Sequence, residues 1–134
     1  MKKTVLFSAL LLSAASLSGL YALPAVAAPD FPTGLWRVAD GSAIVRIKPC
    51  GKAVCGVIAA APPPGPGEKS AVGQKILINL RREGDVWKGP IFNLDNGKTY
   101  DGELSAGPDL DHLKVRGCMP GGGLCGGETW KRAR

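Results

Sequence analysis

Four cysteines are the residues of this chain with the clearest chemical potential. They stand in two close pairs, Cys50 with Cys55 and Cys118 with Cys125. A four-cysteine zinc site usually has two residues between the ligands of each pair, whereas here four and six residues intervene. An even number of cysteines in a short chain with an export leader favours disulfides. We therefore expect two disulfides and no metal site.

Three pairings of the four cysteines are possible. Chain entropy favours a long link such as Cys50–Cys118, worth about 4 kcal/mol against about 2 kcal/mol for the short Cys50–Cys55 loop. Geometry favours the close pairs, because each brackets a glycine-containing turn between predicted strands, where two cysteines come within bridging distance. We predict the pairs Cys50–Cys55 and Cys118–Cys125.

The single histidine is the other candidate for chemistry. His112 follows Asp109 and Asp111, and a histidine beside a carboxylate can serve as a general base or offer a metal two ligands. However, no nucleophilic serine motif precedes it, and aspartates in turns usually bind backbone N–H groups. We predict that the protein is not an enzyme and holds no cofactor.

Aromatic residues are the remaining candidates for a site. Trp36, Trp87, Tyr100 and Trp130 could line an apolar ligand pocket, since such pockets are mostly hydrophobic with a few polar anchors. In so small a protein they could instead form the core, and we expect this to be their main role. Trp87, Tyr100 and Trp130 are the candidates for lining a ligand cavity.

The first residues indicate export. A basic start, an apolar run over residues 5–20 and an Ala-Val-Ala site at residues 25–27 follow the order of a secretory signal peptide. Small residues and a proline interrupt the run before it reaches the ~20 apolar residues of a membrane span. We predict a signal peptide over residues 1–27, one mature domain over residues 28–134 without a membrane span, and a periplasmic or secreted location.

The charge pattern gives no sign of nucleic-acid binding. Removal of Lys2 and Lys3 with the leader lowers the formal net charge from +6 to +4. The remaining charges are interspersed, without the basic stripe and interleaved aromatics of a nucleic-acid interface. We expect a soluble domain with a mixed surface and, at about a hundred residues, a modest core.

Short alternating runs predict an all-β fold. Ala43, Val45 and Ile47 share one strand face, as do Ile76, Ile78 and Leu80, and Asp40-Gly41 and Asn96-Gly97 are strong hairpin turns. Eight strands are expected, at residues 34–39, 42–48, 54–60, 75–81, 85–93, 98–105, 111–117 and 127–132. Because closure removes exposed edges, we predict a small antiparallel up-and-down barrel with room for one small ligand at most. The Pro/Gly-rich segment 59–73 is expected to be a surface connection.

A set of short motifs is spread along nearly the whole mature chain. The motifs are, in order, Gly34-Leu35-Trp36, Asp40-Gly41, Ile44–Gly51, Cys55-Gly56, Trp87 with Gly89, Gly97–Tyr100, Val115-Arg116-Gly117 and Trp130-Lys131-Arg132. With these motifs in this order, the chain resembles a bacterial exported family known as domain of unknown function 2147, placed in the lipocalin-like (calycin) group. The resemblance implies a lipocalin-like barrel.

The resemblance also implies a structural role at one barrel end. Calycins often pack the tryptophan of a G-x-W motif against a basic residue of the last strand, which here corresponds to Gly34, Trp36 and Arg132. The chain departs from the family pattern in loop 61–73 and at Asn93-Leu94. If the family residues at those positions form a binding site, that site is altered here.

Two functions are consistent with these features. The first is a periplasmic module that binds a small apolar or amphipathic molecule in the barrel. The second is a protein–protein module, such as an inhibitor of a secreted protease or lysozyme, with residues 28–33 or loop 61–73 as the contact.

Overall fold

The fold is an eight-stranded antiparallel barrel. A computed structural model describes residue 16, residues 18–21 and residues 31–134, so most of the predicted leader lies outside the described residues. Each strand pairs with the next, and β1 pairs with β8 to close the barrel. The predicted fold class is confirmed. The strands are β1 Gly34–Arg37, β2 Ile44–Cys50, β3 Ala53–Ala60, β4 Lys75–Glu83, β5 Val86–Asn93, β6 Lys98–Ala106, β7 His112–Cys118 and β8 Cys125–Arg132.

The barrel has two ends with different connections. The β1–β2, β3–β4, β5–β6 and β7–β8 connections lie at one end, which we call the open end. The three other connections lie with the segment before β1 and the end of β8 at the opposite, closed end. In the described part of the chain, no helix has the length and apolar character needed to span a membrane.

Both predicted disulfides are present, Cys50–Cys55 at the β2–β3 turn and Cys118–Cys125 between β7 and β8. Cys118 and Cys125 are cross-strand partners with Cα atoms 4.0 Å apart. Each bridge therefore fixes one hairpin, and neither links distant strands. The long Cys50–Cys118 link favoured by chain entropy is absent because these cysteines lie on β2 and β7, which are not neighbours in the barrel.

The alternation predicted for β4 is wrong at its centre. Ile76, Ile78 and Leu80 were expected on one face. Ile76 and Leu80 are buried as expected, but Leu77 is buried as well, and Ile78 is only half-buried. The register with β5 shifts between Leu77 and Arg81, and Asn79 has φ 49°. An inserted residue in the left-handed region is a bulge, which reverses the faces that follow it. Asparagine tolerates this conformation better than most residues.

A row of four glycines crosses the inner face of β5 to β8. Gly89, Gly102, Gly117 and Gly126 are successive cross-strand partners. A Cβ atom at the first three would contact Leu80, Ile91 and Tyr100, respectively, each on the preceding strand. A Cβ atom at Gly126 would have no atom within 4 Å. Inward side chains therefore fill the space over three glycines and leave it open beside the fourth.

The closed end is sealed around Trp36. This tryptophan is fully buried, its Nε1 donates to the Pro32 carbonyl at 2.8 Å, and the Arg132 guanidinium carbon lies 4.3 Å from its ring centroid. Arg132 donates to the carbonyls of Thr33 at 3.0 Å and Leu110 at 3.2 Å, and its Nε lies 3.4 Å from an Asp111 carboxylate oxygen.

Gly34 makes this seal possible. Its φ is +124°, and a Cβ atom there would lie 2.5 Å from Arg132 Nη1. Glycine is thus required both for the backbone conformation and for the approach of the guanidinium. Gly34, Trp36 and Arg132 meet at one point, which is where the family resemblance places them.

We predict that replacing glycine by alanine lowers stability at one position of the glycine row and leaves it nearly unchanged at another. In Gly102→Ala the new methyl would lie 2.1 Å from Ile91 Cγ1, so we expect the free energy of unfolding to fall by about 1–3 kcal/mol. Gly126→Ala enters open space and should change it by less than about 0.5 kcal/mol. Urea unfolding of both oxidised variants measures the difference, and equal losses would contradict this account of the row.

We predict that Arg132→Lys destabilises the protein, although the substitution keeps the positive charge. Lysine lacks the planar guanidinium that stacks on Trp36 and donates in two directions, so we expect a loss of about 1–3 kcal/mol. Arg116→Lys, at an exposed position of β7, is the matched control and should leave stability unchanged. Thermal unfolding compares the two variants, and equal melting temperatures would show that the seal does not depend on the guanidinium.

Candidate functional site

The open end of the barrel contains a cavity of about 630 Å³. Three of the four open-end connections contribute to its wall, through Asp40 and Ser42, Leu94 and Asp95, and Met119 and Leu124. Inward-facing strand residues form its floor. The cavity exists partly because Gly126 leaves the part of the β8 wall beside it without a side chain.

The floor and inner wall of this open-end cavity are apolar. They are formed by aliphatic and aromatic side chains from six strands, among them Ile58, Ile76, Ile91, Tyr100, Val115 and Trp130. Ile58, Ile76 and Val115 belong to the buried core. The cavity is therefore continuous with the hydrophobic core on its inner side and open to solvent on its outer side.

A few polar groups interrupt the apolar wall. The hydroxyl of Tyr100 accepts a hydrogen bond from Asn96 Nδ2 at 2.7 Å. Asp40 accepts one from the Ser42 backbone N–H at 2.8 Å. Hydrogen bonds from the Ser42 side chain and backbone lower the pKa of Asp40 below its ordinary value, so this carboxylate is charged at neutral pH. Asp95 lies beside the β5–β6 turn.

Glu128 is the polar residue on the strand wall itself. Its cross-strand partner is the buried Val115, and Trp130, two residues later, is also buried. Residues two apart on a strand share a face, so the Glu128 side chain lies on the inner face of β8, where it is exposed to solvent. Its Oε1 accepts a hydrogen bond from Trp130 Nε1.

Exposed apolar side chains surround the mouth. Leu94, Met119 and Leu124 have relative exposures of 40%, 42% and 81% and also belong to the cavity wall. Val72, in the β3–β4 connection, is 51% exposed at the same end. Leu110, at the closed end, is the only other exposed large apolar side chain in residues 31–134. We call Val72, Leu94, Met119 and Leu124 the apolar rim.

The aromatic residues predicted to line a ligand cavity separate into two groups. Tyr100 and Trp130 are part of the cavity wall. Trp87 is not; it is half-buried on β5, in register with Leu104, and packs against the core below the cavity. The sequence pattern missed Asp40, Asp95 and Glu128. Glu128 could have been found from its position two residues before an inward tryptophan on a predicted strand.

The histidine lies far from the cavity along the barrel axis. His112 Nδ1 lies 2.7 Å from Asp109 Oδ1 in the β6–β7 connection, at the closed end. This hydrogen bond is the main cause that lowers the pKa of Asp109 below its ordinary value. Asp109 also accepts from the Asp111 backbone N–H at 2.8 Å, which is the usual structural role of a turn aspartate.

The two segments proposed to contact a protein partner differ in exposure. In loop 61–73 the residues from Pro62 to Ser70 are all exposed, whereas Pro32, before β1, is fully buried.

Among the described residues, no group of three or more His, Cys, Asp or Glu side chains is arranged to hold a metal ion.

Sequence comparison identifies the family but brings no function with it. No curated protein and no solved structure shows significant similarity to the chain. One bacterial family matches over residues 34–132, from the first residue of β1 to the last residue of β8. Its description names no activity, ligand or fold. The chain belongs to this family, described as "Uncharacterized protein conserved in bacteria (DUF2147)".

Proposed function

We propose that the protein is an exported binding module whose open-end cavity holds one small apolar or amphipathic molecule. The observation that carries this proposal is the cavity of about 630 Å³, lined mainly by apolar side chains that are continuous with the core. Ligand sites for small molecules are typically about 300–1,000 Å³ and combine such walls with a few polar groups. An apolar tail would contact the floor, and a polar head would lie among Asp40, Asp95 and Glu128 at the mouth.

The proposal is for binding without catalysis. The His112–Asp109 pair, which has the composition of a general base, is at the closed end and does not line the cavity. Inside the cavity the polar groups are carboxylates, an amide, a phenol and the Ser42 hydroxyl. This hydroxyl is hydrogen-bonded to Asp40, and no histidine lines the cavity in the described residues, so these groups are suited to orienting a bound molecule.

A periplasmic or secreted location is part of the same proposal. Two disulfides are consistent with an oxidising, extracytoplasmic environment, as such bonds are rare in the cytosol. The predicted leader supports export but lies mostly outside the described residues. A module in this location would meet its ligand in the cell envelope or the medium.

A protein partner is a second candidate, supported by the apolar rim. Four large apolar side chains exposed around one opening are the kind of patch that marks interaction sites. The contact would then involve the rim and loop 61–73 rather than residues 31–33, because Pro32 is buried against Trp36. An inhibitor of a secreted protease or lysozyme would present such a surface.

A substitution that fills the cavity tests the binding proposal. Gly126→Leu adds an inward side chain where no atom lies within 4 Å, so we expect the variant to fold and to lose ligand. Native mass spectrometry of protein isolated from the periplasm should show an additional ligand mass on the original chain and none on the variant. Thr129→Leu, on the outer face of β8, is the matched control and should retain the mass.

Two results would contradict this proposal. One is the repeated absence of any bound small molecule from the original chain. The other is equal loss of ligand from Gly126→Leu and Thr129→Leu, which would locate binding outside the cavity. Co-isolation of one stoichiometric protein instead of a small molecule would favour the apolar rim as a partner-binding surface.

A further inference from the structure

We infer that the open-end cavity selects amphiphiles with a cationic head group, and that Glu128 is the residue that binds this group. The inference rests on the proposed function, since it names the class of ligand for the same cavity. It is carried by the position of one carboxylate on an otherwise apolar inner wall and by the absence of lining cations in residues 31–134.

The strand register places Glu128 on the inner face of β8, where its side chain is exposed to solvent. Trp87, Leu104, Val115 and Glu128 are successive cross-strand partners on β5 to β8. Leu104 and Val115 are buried, and Trp87 packs against the core. Glu128 is thus the one charged member of an inward row whose other members are apolar.

Space for a ligand group lies directly beside this carboxylate. Gly126 precedes Glu128 on the same face and has no atom within 4 Å of a Cβ position. Gly117, opposite Gly126, also contributes only backbone to the wall. A head group can therefore reach Glu128 without displacing any side chain.

The carboxylate is only partly engaged by the protein. Oε1 accepts the Trp130 indole N–H, and this contact fixes the side chain along the wall. The ion pairs in the described part of the chain involve other acids, namely Glu83, Asp109 and Asp111. Glu128 therefore has a free oxygen and no cationic partner, which leaves its charge to be matched by a ligand.

The charge of the cavity is opposite to that of the chain. Lysine and arginine number 17 against 11 aspartates and glutamates, yet the charged residues that line the cavity are Asp40, Asp95 and Glu128. An anionic amphiphile such as a fatty acid would place its head group against carboxylates, at a cost in Coulomb energy. An ammonium group would be attracted and would also lie near the aromatic faces of Tyr100 and Trp130, which attract cations.

An organic cation fits better than a metal ion. The described residues do not provide three acidic, histidine or cysteine side chains arranged around one point. A metal ion requires several ligands at short distances, whereas an ammonium head group with an apolar tail needs one carboxylate and an apolar wall. The cavity provides the second combination.

Three probes with the same alkyl chain test the inference. Decyltrimethylammonium, decyl sulfate and 1-decanol, each below its aggregation limit, are titrated into the oxidised protein by isothermal titration calorimetry. We expect the ammonium probe to bind about tenfold more tightly than the sulfate probe, as for one partly screened ion pair, and 1-decanol to lie between them. Added salt should narrow the difference.

The variant Glu128→Gln isolates the carboxylate. Glutamine keeps the shape and an oxygen that accepts from Trp130 Nε1, so the wall should stay intact. We expect the preference for ammonium over sulfate to fall by about tenfold, with 1-decanol affinity unchanged. Glu103→Gln, on β6 with its side chain on the outer face, removes the same charge outside the cavity and should keep the preference.

The outcomes separate this inference from the proposed function. If all three probes bind equally to the original chain, or if sulfate is preferred, the inference is overturned and the cavity remains a binding site. If Glu103→Gln and Glu128→Gln lower the preference equally, the selectivity comes from overall charge, and the role of Glu128 is overturned. If none of the probes binds, the proposed function fails as well.

Discussion

The barrel depends on its closure between β1 and β8, which is the weakest part of the sheet. β1 has only four residues, and just two of its residues are in register with β8, Trp36 with Arg132 and Arg37 with Lys131. So short a ladder contributes few backbone hydrogen bonds. The stacked Arg132–Trp36 pair reinforces it, since the guanidinium also donates to carbonyls of the segment before β1 and of the β6–β7 connection. One side chain thereby joins three parts of the chain that the strand ladders leave separate.

Sealing one end of the barrel leaves the other end free to be hollow. Trp36 fills the closed end, and small domains have few large apolar residues to distribute. The glycine row enforces this asymmetry, because each of its first three members is covered by a side chain of the preceding strand while Gly126 is not. The cavity is thus a consequence of how the interior is filled from one end.

Much of this fold could be predicted from sequence because its determinants are local. Alternation located the strands, Asp40-Gly41 and Asn96-Gly97 located hairpins, and each disulfide links neighbouring strands. The family resemblance, not the pattern, supplied Arg132 as the partner of Trp36. The burial of Leu77 was missed because the register of β4 shifts twice against β3, and a register shift leaves no mark in the alternation of the sequence. Asn79 Oδ1 lies 3.1 Å from Cys55 Sγ; as a disulfide sulfur has no proton to donate, this is an S···O contact, and it too depends on the tertiary fold.

The cavity was less predictable, since its volume depends on which inward side chains reach across the barrel. Glu128 differs from the other residues of its cross-strand row. Leu104 and Val115 in the same row are buried, whereas Glu128 is exposed to solvent, so its carboxylate keeps its charge without a buried ionic partner. Glu128 is tolerated because the wall beside it is bare glycine backbone and the cavity admits water. A charge that is held by an indole N–H, lacks a cationic partner and faces an apolar cavity is a poor structural element, and these same properties make it a specific contact for a ligand.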